Sequence, residues 1–189
     1  MTCIIKKLIG IGSGSLLLIY ILTSVITTFV FITVFLKRPD AGWPDPSLNP
    51  SGSRVPYLSV IEKAQQWLSN QQLENVSITS FDGLSLAAQF LPHPDAKGTI
   101  LFMHGYHSRA SFEFAGFYEY FYNEGYNILL CDQRSHGNSG GTYLTFGINE
   151  RYDCRGWITW LEKKAGNESP VWLCGVSMGS STVLMTLGF

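Results

Sequence analysis

Apolar and polar residues fall into three regimes along the chain. Residues 8–36 carry no charge and are dominated by Leu, Ile, Val and Phe, a run longer than the roughly 20 residues that cross a hydrocarbon core. Residues 37–55 then hold Pro39, Pro44, Pro46 and Pro50 among glycines and serines, the composition of an extended, semi-rigid tether. From residue 56 onward short segments alternate. Over 57–68, Val60, Ile61, Ala64, Trp67 and Leu68 recur at three and four residues, which predicts a helix. Residues 76–80 and 84–91 read as a hairpin around Phe81-Asp82-Gly83, whose Asp-Gly pair suits a tight turn. Continuous apolar runs at 99–103, 126–131 and 171–174 read as strands. Between and after them come an aromatic-rich helix at 111–123, a helix at 149–164 stopping before Gly166, and a final helix of small residues. An antiparallel start followed by strand–helix alternation predicts an α/β fold whose later strands are parallel and buried on both faces.

Composition sharpens the first regime. The chain is 46% hydrophobic and 14% charged, against about a quarter charged in soluble domains. A cleaved signal peptide would have an apolar core of about 7–15 residues, whereas this run continues through Phe29, Phe31 and Phe35 to Lys37-Arg38. The expectation is one uncleaved transmembrane anchor within residues 1–36, spanning about 8–36, and hence a single-pass membrane protein. Lys6 and Lys7 flank one end and Lys37 and Arg38 the other, so the positive-inside bias leaves the side of the globular domain open. Residues 56–189 carry 8 Lys/Arg against 12 Asp/Glu, with no basic stripe, which excludes a nucleic-acid partner. No spacing among the four cysteines fits a zinc site. Cys131, Cys154 and Cys174 read as buried free thiols, and no metal or cofactor is implied.

The candidate chemistry lies at the third apolar run. Gly175-Val176-Ser177-Met178-Gly179 follows a predicted strand and precedes a predicted helix, the context in which Gly-x-Ser-x-Gly has a mechanism. A turn this tight puts the serine in strained backbone angles, needs small residues two positions either side, and leaves the Ser177 hydroxyl exposed at a helix N-terminus. The Met178 N–H then points where an oxyanion forms, aided by the helix dipole. A second constellation, His104-Gly105-Tyr106-His107, follows the run 99–103, where a strand end supplies the other oxyanion donor, the Tyr106 N–H. His104 reads as a residue that fixes this loop by hydrogen bonds rather than as a base. His107 and His136 are candidate substrate contacts.

Residues 97–188 resemble the α/β-hydrolase superfamily, in particular its serine aminopeptidase-like and lysophospholipase-like branch of often membrane-anchored hydrolases. The blocks FMHGYHSRA, DQRSHGNSGGTYLTFG and GVSMGSSTVLM carry the resemblance, with ERYDCRGWITWL matching the helix between the last two. It implies Ser177 as nucleophile, and Asp132, Arg134 and Gly137 as structural residues bracing the loop beside it. Ser180 departs from the glycine or alanine common there. The implied sheet order places 99–103 between the strands ending in Cys131 and Cys174, too far apart for a disulfide.

In that fold the acid and base follow the serine in the chain. Twelve residues follow Ser177 here, and none is Asp, Glu or His. With residues 56–189 amounting to 134 positions, short of the 200 or more usual for such a domain, the expectation is an N-terminal part of an α/β-hydrolase domain, inactive alone. Two functions stay open. One is a membrane-anchored serine hydrolase acting on a small-molecule, lipid or peptide acyl group. The other is a non-catalytic, membrane-tethered pseudoenzyme or binding module. Oligomeric state is not legible.

Overall fold

The computed structural model describes residues 2–38, 57–166 and 168–188; the tether expected over 37–55 lies outside the described residues from position 39 onward. The chain divides into two compact units, residues 1–37 and 38–189. The first is helix α1, Thr2–Phe31, continued by a π-helical turn, Ile32–Leu36. Its stretch Gly14–Leu36 is 23 residues long with mean hydropathy 2.4. At 1.5 Å per residue that is about 35 Å, long and apolar enough to span a membrane. Thr23 and Thr33 return their hydroxyls to carbonyls one turn back, Ile19 and Phe29, so neither presents an unpaired polar group on this face.

The second unit is an α/β/α sandwich. Helix α2, Leu58–Ser69, turns Ala64 and Leu68 inward at the predicted spacing. Strands β1, Glu74–Thr79, and β2, Ser85–Leu91, form the hairpin, in antiparallel register from Glu74 opposite Phe90 to Thr79 opposite Ser85. Gly83 takes φ +86° in its turn, and the Ser80 hydroxyl accepts the Leu84 N–H at 2.8 Å, which fits a three-residue loop with glycine in the left-handed position. The remaining elements are β3, Thr99–Met103; α3, Ala110–Glu113; α4, Tyr118–Asn123; β4, Asn127–Cys131; α5, Glu150–Ala165; β5, Val171–Gly175; and α6, Met178–Thr186. The sheet order is β1-β2-β4-β3-β5. β2 meets β4 antiparallel, and β4, β3 and β5 run parallel.

Alternation along β3 and β4 feeds both faces of the sheet. Ile100, Phe102, Ile128 and Leu130 pack under α2, α3 and α4 with Phe114 and Tyr118. Leu101, Met103, Leu129 and Cys131 pack on the other side with Trp157 and Leu161 of α5. Every residue of β3 and β4 is buried, which is why these strands read as continuous apolar runs. β5 is the outer strand of the described sheet and is only half-buried. Cys131, Cys154 and Cys174 are free thiols, and β3 does lie between the strands that end at Cys131 and Cys174.

The helix expected over 111–123 is broken. Phe112 and Phe114 are both buried, yet two residues apart on a continuous helix they would point to nearly opposite sides. The chain resolves the conflict by tightening: Ala115 N–H donates to the Phe112 carbonyl and Phe117 N–H to that of Phe114, so α3 ends after one turn and α4 begins at Tyr118.

The loop after β4 is braced by a buried ion pair. The Arg134 guanidinium donates to both Asp153 oxygens at 2.6 and 2.7 Å and reaches Asp82 at 2.9 Å, tying the β4 loop to α5 and to the hairpin turn. Arg134 holds the Asp82 carboxyl below the usual carboxylate range. Arg134→Ala leaves Asp153, 5% exposed, without its counter-charge in the interior. We expect a loss of about 3–5 kcal/mol, read as a lower urea midpoint; a change under about 1 kcal/mol would show that the brace is dispensable.

Candidate active site

The site grows from the turn between β5 and α6. Ser177 has φ 52° and ψ −116°, a region that residues with a Cβ rarely occupy and that costs about 1–3 kcal/mol. The surroundings hold it there. Val176 N–H donates to the Met103 carbonyl at 3.2 Å, and Gly179 N–H to that of Val176 at 2.8 Å. Ser180 and Ser181 N–H converge on the Ser177 carbonyl at 3.0 and 3.3 Å. A Cβ on Gly175 would lie 2.6 Å from the Gly179 carbonyl carbon, and one on Gly179 would lie 2.6 Å from that of Met103; both positions exclude any side chain. Ser180, the departure noted in the sequence, is used: its hydroxyl donates to the Gly175 carbonyl at 2.7 Å. The result is an exposed Ser177 side chain above a buried Met178, with the Met178 N–H as the first amide of α6, where no intrahelical carbonyl can reach it.

The end of β3 closes on this turn. A Cβ on Gly105 would stand 3.4 Å from Ser177 Cβ, so the backbone between His104 and Tyr106 passes directly beside the serine. His104 is wholly buried. Its Nε2 accepts the Gln133 N–H at 3.0 Å, which puts the ring proton on Nδ1, donated to the Gly105 carbonyl at 2.7 Å. The Gln133 side-chain amide donates to the His104 carbonyl and accepts from the Thr182 hydroxyl at 2.7 Å. This chain joins the β3 end, the β4 loop and α6. Gln133 and Thr182 carried no signal in the sequence beyond their places in the two blocks. Burial pulls the His104 pKa down to about 4.

His136, a candidate substrate contact in the sequence, is corrected by its environment: it is fully buried. Its Nδ1 donates to the Arg134 carbonyl at 3.0 Å and its Nε2 accepts the His107 N–H at 3.3 Å. Burial first, and the neighbouring His104 ring next, bring its pKa to about 3. His107 is half-buried, at φ 55°, its ring stacked on Tyr106 with 3.5 Å between centroids. Asp132 is mostly buried and accepts the Asn138 N–H at 2.8 Å beside Gly137; burial raises its pKa. Ser177 stands on open surface. A cavity of about 340 Å³ lined by Gln89, Arg109, Asp132 and Asn138 includes none of the turn residues, so backbone geometry rather than concavity marks the site. Among the described residues no cluster of three His, Cys, Asp or Glu side chains converges as a metal site.

A mixed sheet with three parallel strands and a strained serine between strand and helix, pressed against the glycine-bearing end of the neighbouring strand, is the arrangement of an α/β hydrolase. The chain matches the family model of the serine aminopeptidases, S33, over residues 94–188, half of its length, and belongs to that family. It is 28% identical over 122 residues to the uncharacterized protein YqkD of Bacillus subtilis (strain 168), covering 64% of this chain and 40% of that one. It superposes on the Pyrococcus furiosus esterase Pf2001 with TM-score 0.59 and 31% identity, over 65% of this chain and 48% of the esterase. The α/β hydrolase GrgF from Penicillium sp. sh18 shares the fold at TM-score 0.54 and 21% identity, over 62% and 42% of the two chains. The chain thus spans less than half the length of each of these relatives.

The two buried histidines make stability pH-dependent. Unfolded, each titrates near 6.5; folded, at about 4 and about 3. Between those values the unfolded chain binds more protons, so stability falls as pH is lowered, by up to about 1.4 kcal/mol per pH unit for each ring. We expect the melting temperature to drop steadily from pH 7 to pH 5, with net proton uptake on unfolding in calorimetry. A flat profile would mean that neither ring is held neutral by the fold.

Proposed function

We propose that this is a membrane-anchored serine hydrolase that cleaves a carboxylic ester, lipid ester or peptide bond through an acyl-enzyme on Ser177. The observation that carries the reading is the Ser177 backbone: an exposed serine stands at φ 52° between backbone hydrogen bonds and the close approaches of Gly175 and Gly179. In the reaction the Ser177 oxygen attacks the substrate carbonyl carbon while its proton passes to a base. The tetrahedral oxyanion takes hydrogen bonds from the Met178 and Tyr106 N–H groups, and collapse expels the leaving group with a proton. Water then resolves the acyl-enzyme. Gly105, Gly175 and Gly179 make the close approaches, and His104 supports the loop. His107, beside Tyr106, contacts the substrate. The esterase Pf2001 supports ester chemistry in this half of the fold. Helix Gly14–Leu36 supports anchoring.

The base is the missing part. No Asp, Glu or His follows Ser177 in these 189 residues, and both ring nitrogens of His104 and of His136 are engaged. The second reading is a tethered, non-catalytic binding module. A fluorophosphonate should leave Ser177 of the 189-residue chain unlabelled. Joined to a strand-end carboxylate and a histidine loop, the same chain should be labelled, and Ser177→Ala should not. Labelling of the 189 residues alone would make an upstream histidine the base; absence of labelling in the joined chain would favour the binding module.

For the anchor, the full chain should stay in the membrane pellet after carbonate washing, and the chain shortened to begin at Pro56 should not need detergent to leave it. Release of the full chain by carbonate would contradict a spanning helix.

A further inference from the structure

Phe146 occupies a backbone conformation that bulky residues avoid, φ 50°. Glu150 keeps it there. Its carboxylate, 1% exposed, accepts the N–H groups on either side of the phenylalanine, Thr145 and Gly147, each at 2.7 Å, together with the Thr145 hydroxyl at 2.6 Å. Strain maintained by such surroundings gathers at functional positions. The ring so presented is not in the core: it is 39% exposed and stacks on Tyr106 with centroids 5.6 Å apart and planes 29° apart.

Two paths bring this ring to Ser177. Tyr106 follows Gly105, whose backbone passes beside Ser177. A Cβ on Gly147 would meet Met185 Sδ at 3.0 Å and Ser181 Cβ at 3.2 Å, so this backbone runs close to the first turns of α6, where the Ser181 N–H donates to the Ser177 carbonyl at 3.3 Å. Ile148 and Met185, both exposed, extend the apolar surface. We propose that Phe146 is a specificity-determining residue. Its ring and that of Tyr106 form the wall along which an apolar acyl chain lies once its carbonyl is at Ser177, and Glu150 is the positioning residue for that wall. The substrate class is then an ester of an aliphatic acid several carbons long. The proposal rests on Ser177 being the acyl acceptor.

The test uses amides that bind without being cleaved. The full chain in lipid nanodiscs is titrated with hexanamide and with acetamide, followed by saturation-transfer NMR, with empty nanodiscs subtracted. Wild type should bind hexanamide about tenfold more tightly than acetamide, as expected for partial burial of the added methylenes. Phe146→Gly should abolish that difference while melting at the same or a higher temperature, because glycine takes φ 50° without strain; a ring that merely filled space would lower it. Phe146→Leu should retain part of the preference, and Glu150→Ala should weaken hexanamide binding without changing that of acetamide. Equal wild-type affinity for the two amides, or an unchanged preference in Phe146→Gly, overturns the proposal. The nucleophile reading is read separately, by fluorophosphonate labelling of Ser177 in the chain joined to its carboxylate and histidine, so its failure is separable from a failure of the acyl wall, which appears only in the amide preference.

Discussion

The constraint on which this site depends is the contact between the backbone of α6 and the end of β3. Gly179 sits so close to the Met103 carbonyl that no side chain fits between them. The helix therefore starts two residues after β5, and of the two that make the turn, Val176 and Ser177, it is Ser177 that takes positive φ. Exposure of the hydroxyl, the orientation of the first helical amide and the nearness of Gly105 all follow from that single approach. Gly175 is the same constraint seen from the strand side, since its missing side chain makes room for the first turn of α6.

Such a turn survives only if the pieces around it cannot relax, and the interior beside it is polar for that purpose. His104, Gln133 and Thr182 join three elements through hydrogen bonds whose donors and acceptors are matched. Arg134 ties the same loop to α5 and the hairpin through Asp153 and Asp82. Fully satisfied networks of this kind specify one arrangement of loops where apolar packing would tolerate several. They also explain why His104 and His136 are neutral: each ring works as a donor at Nδ1 and an acceptor at Nε2, which a charged imidazole cannot do.

Much of this was legible in the residues. The hairpin, the buried strands β3 and β4 and helix α5 declared themselves by pattern, whereas β5, expected to be buried on both faces, reads as the same kind of apolar run although it is only half-buried at the outer position of the described sheet. The elbow was legible because its glycines have no substitute. The break between α3 and α4 was not, since Phe112 and Phe114 both look like helix-core residues until the layer they share fixes their directions. His136 read as a candidate substrate contact because a histidine in a glycine-rich loop carries no mark of burial; only the third dimension buries it under His107. Gln133, Glu150 and Phe146 went unassigned for the same reason: their roles are hydrogen bonds and ring contacts with residues that periodicity does not relate to them.

The fold forces Ser177 into a strained backbone conformation. Comparing Ser177→Gly with Ser177→Ala tests it directly, since both remove the hydroxyl and differ only in tolerance of positive φ. At an ordinary position the glycine variant is less stable than the alanine one by about 0.4–1 kcal/mol, through the unfolded chain. At a strained turn the order reverses. Chemical denaturation should find Ser177→Gly the more stable of the two by about 1 kcal/mol; an alanine variant equal or superior in stability would show that the turn is relaxed and that the strain attributed to it does not exist.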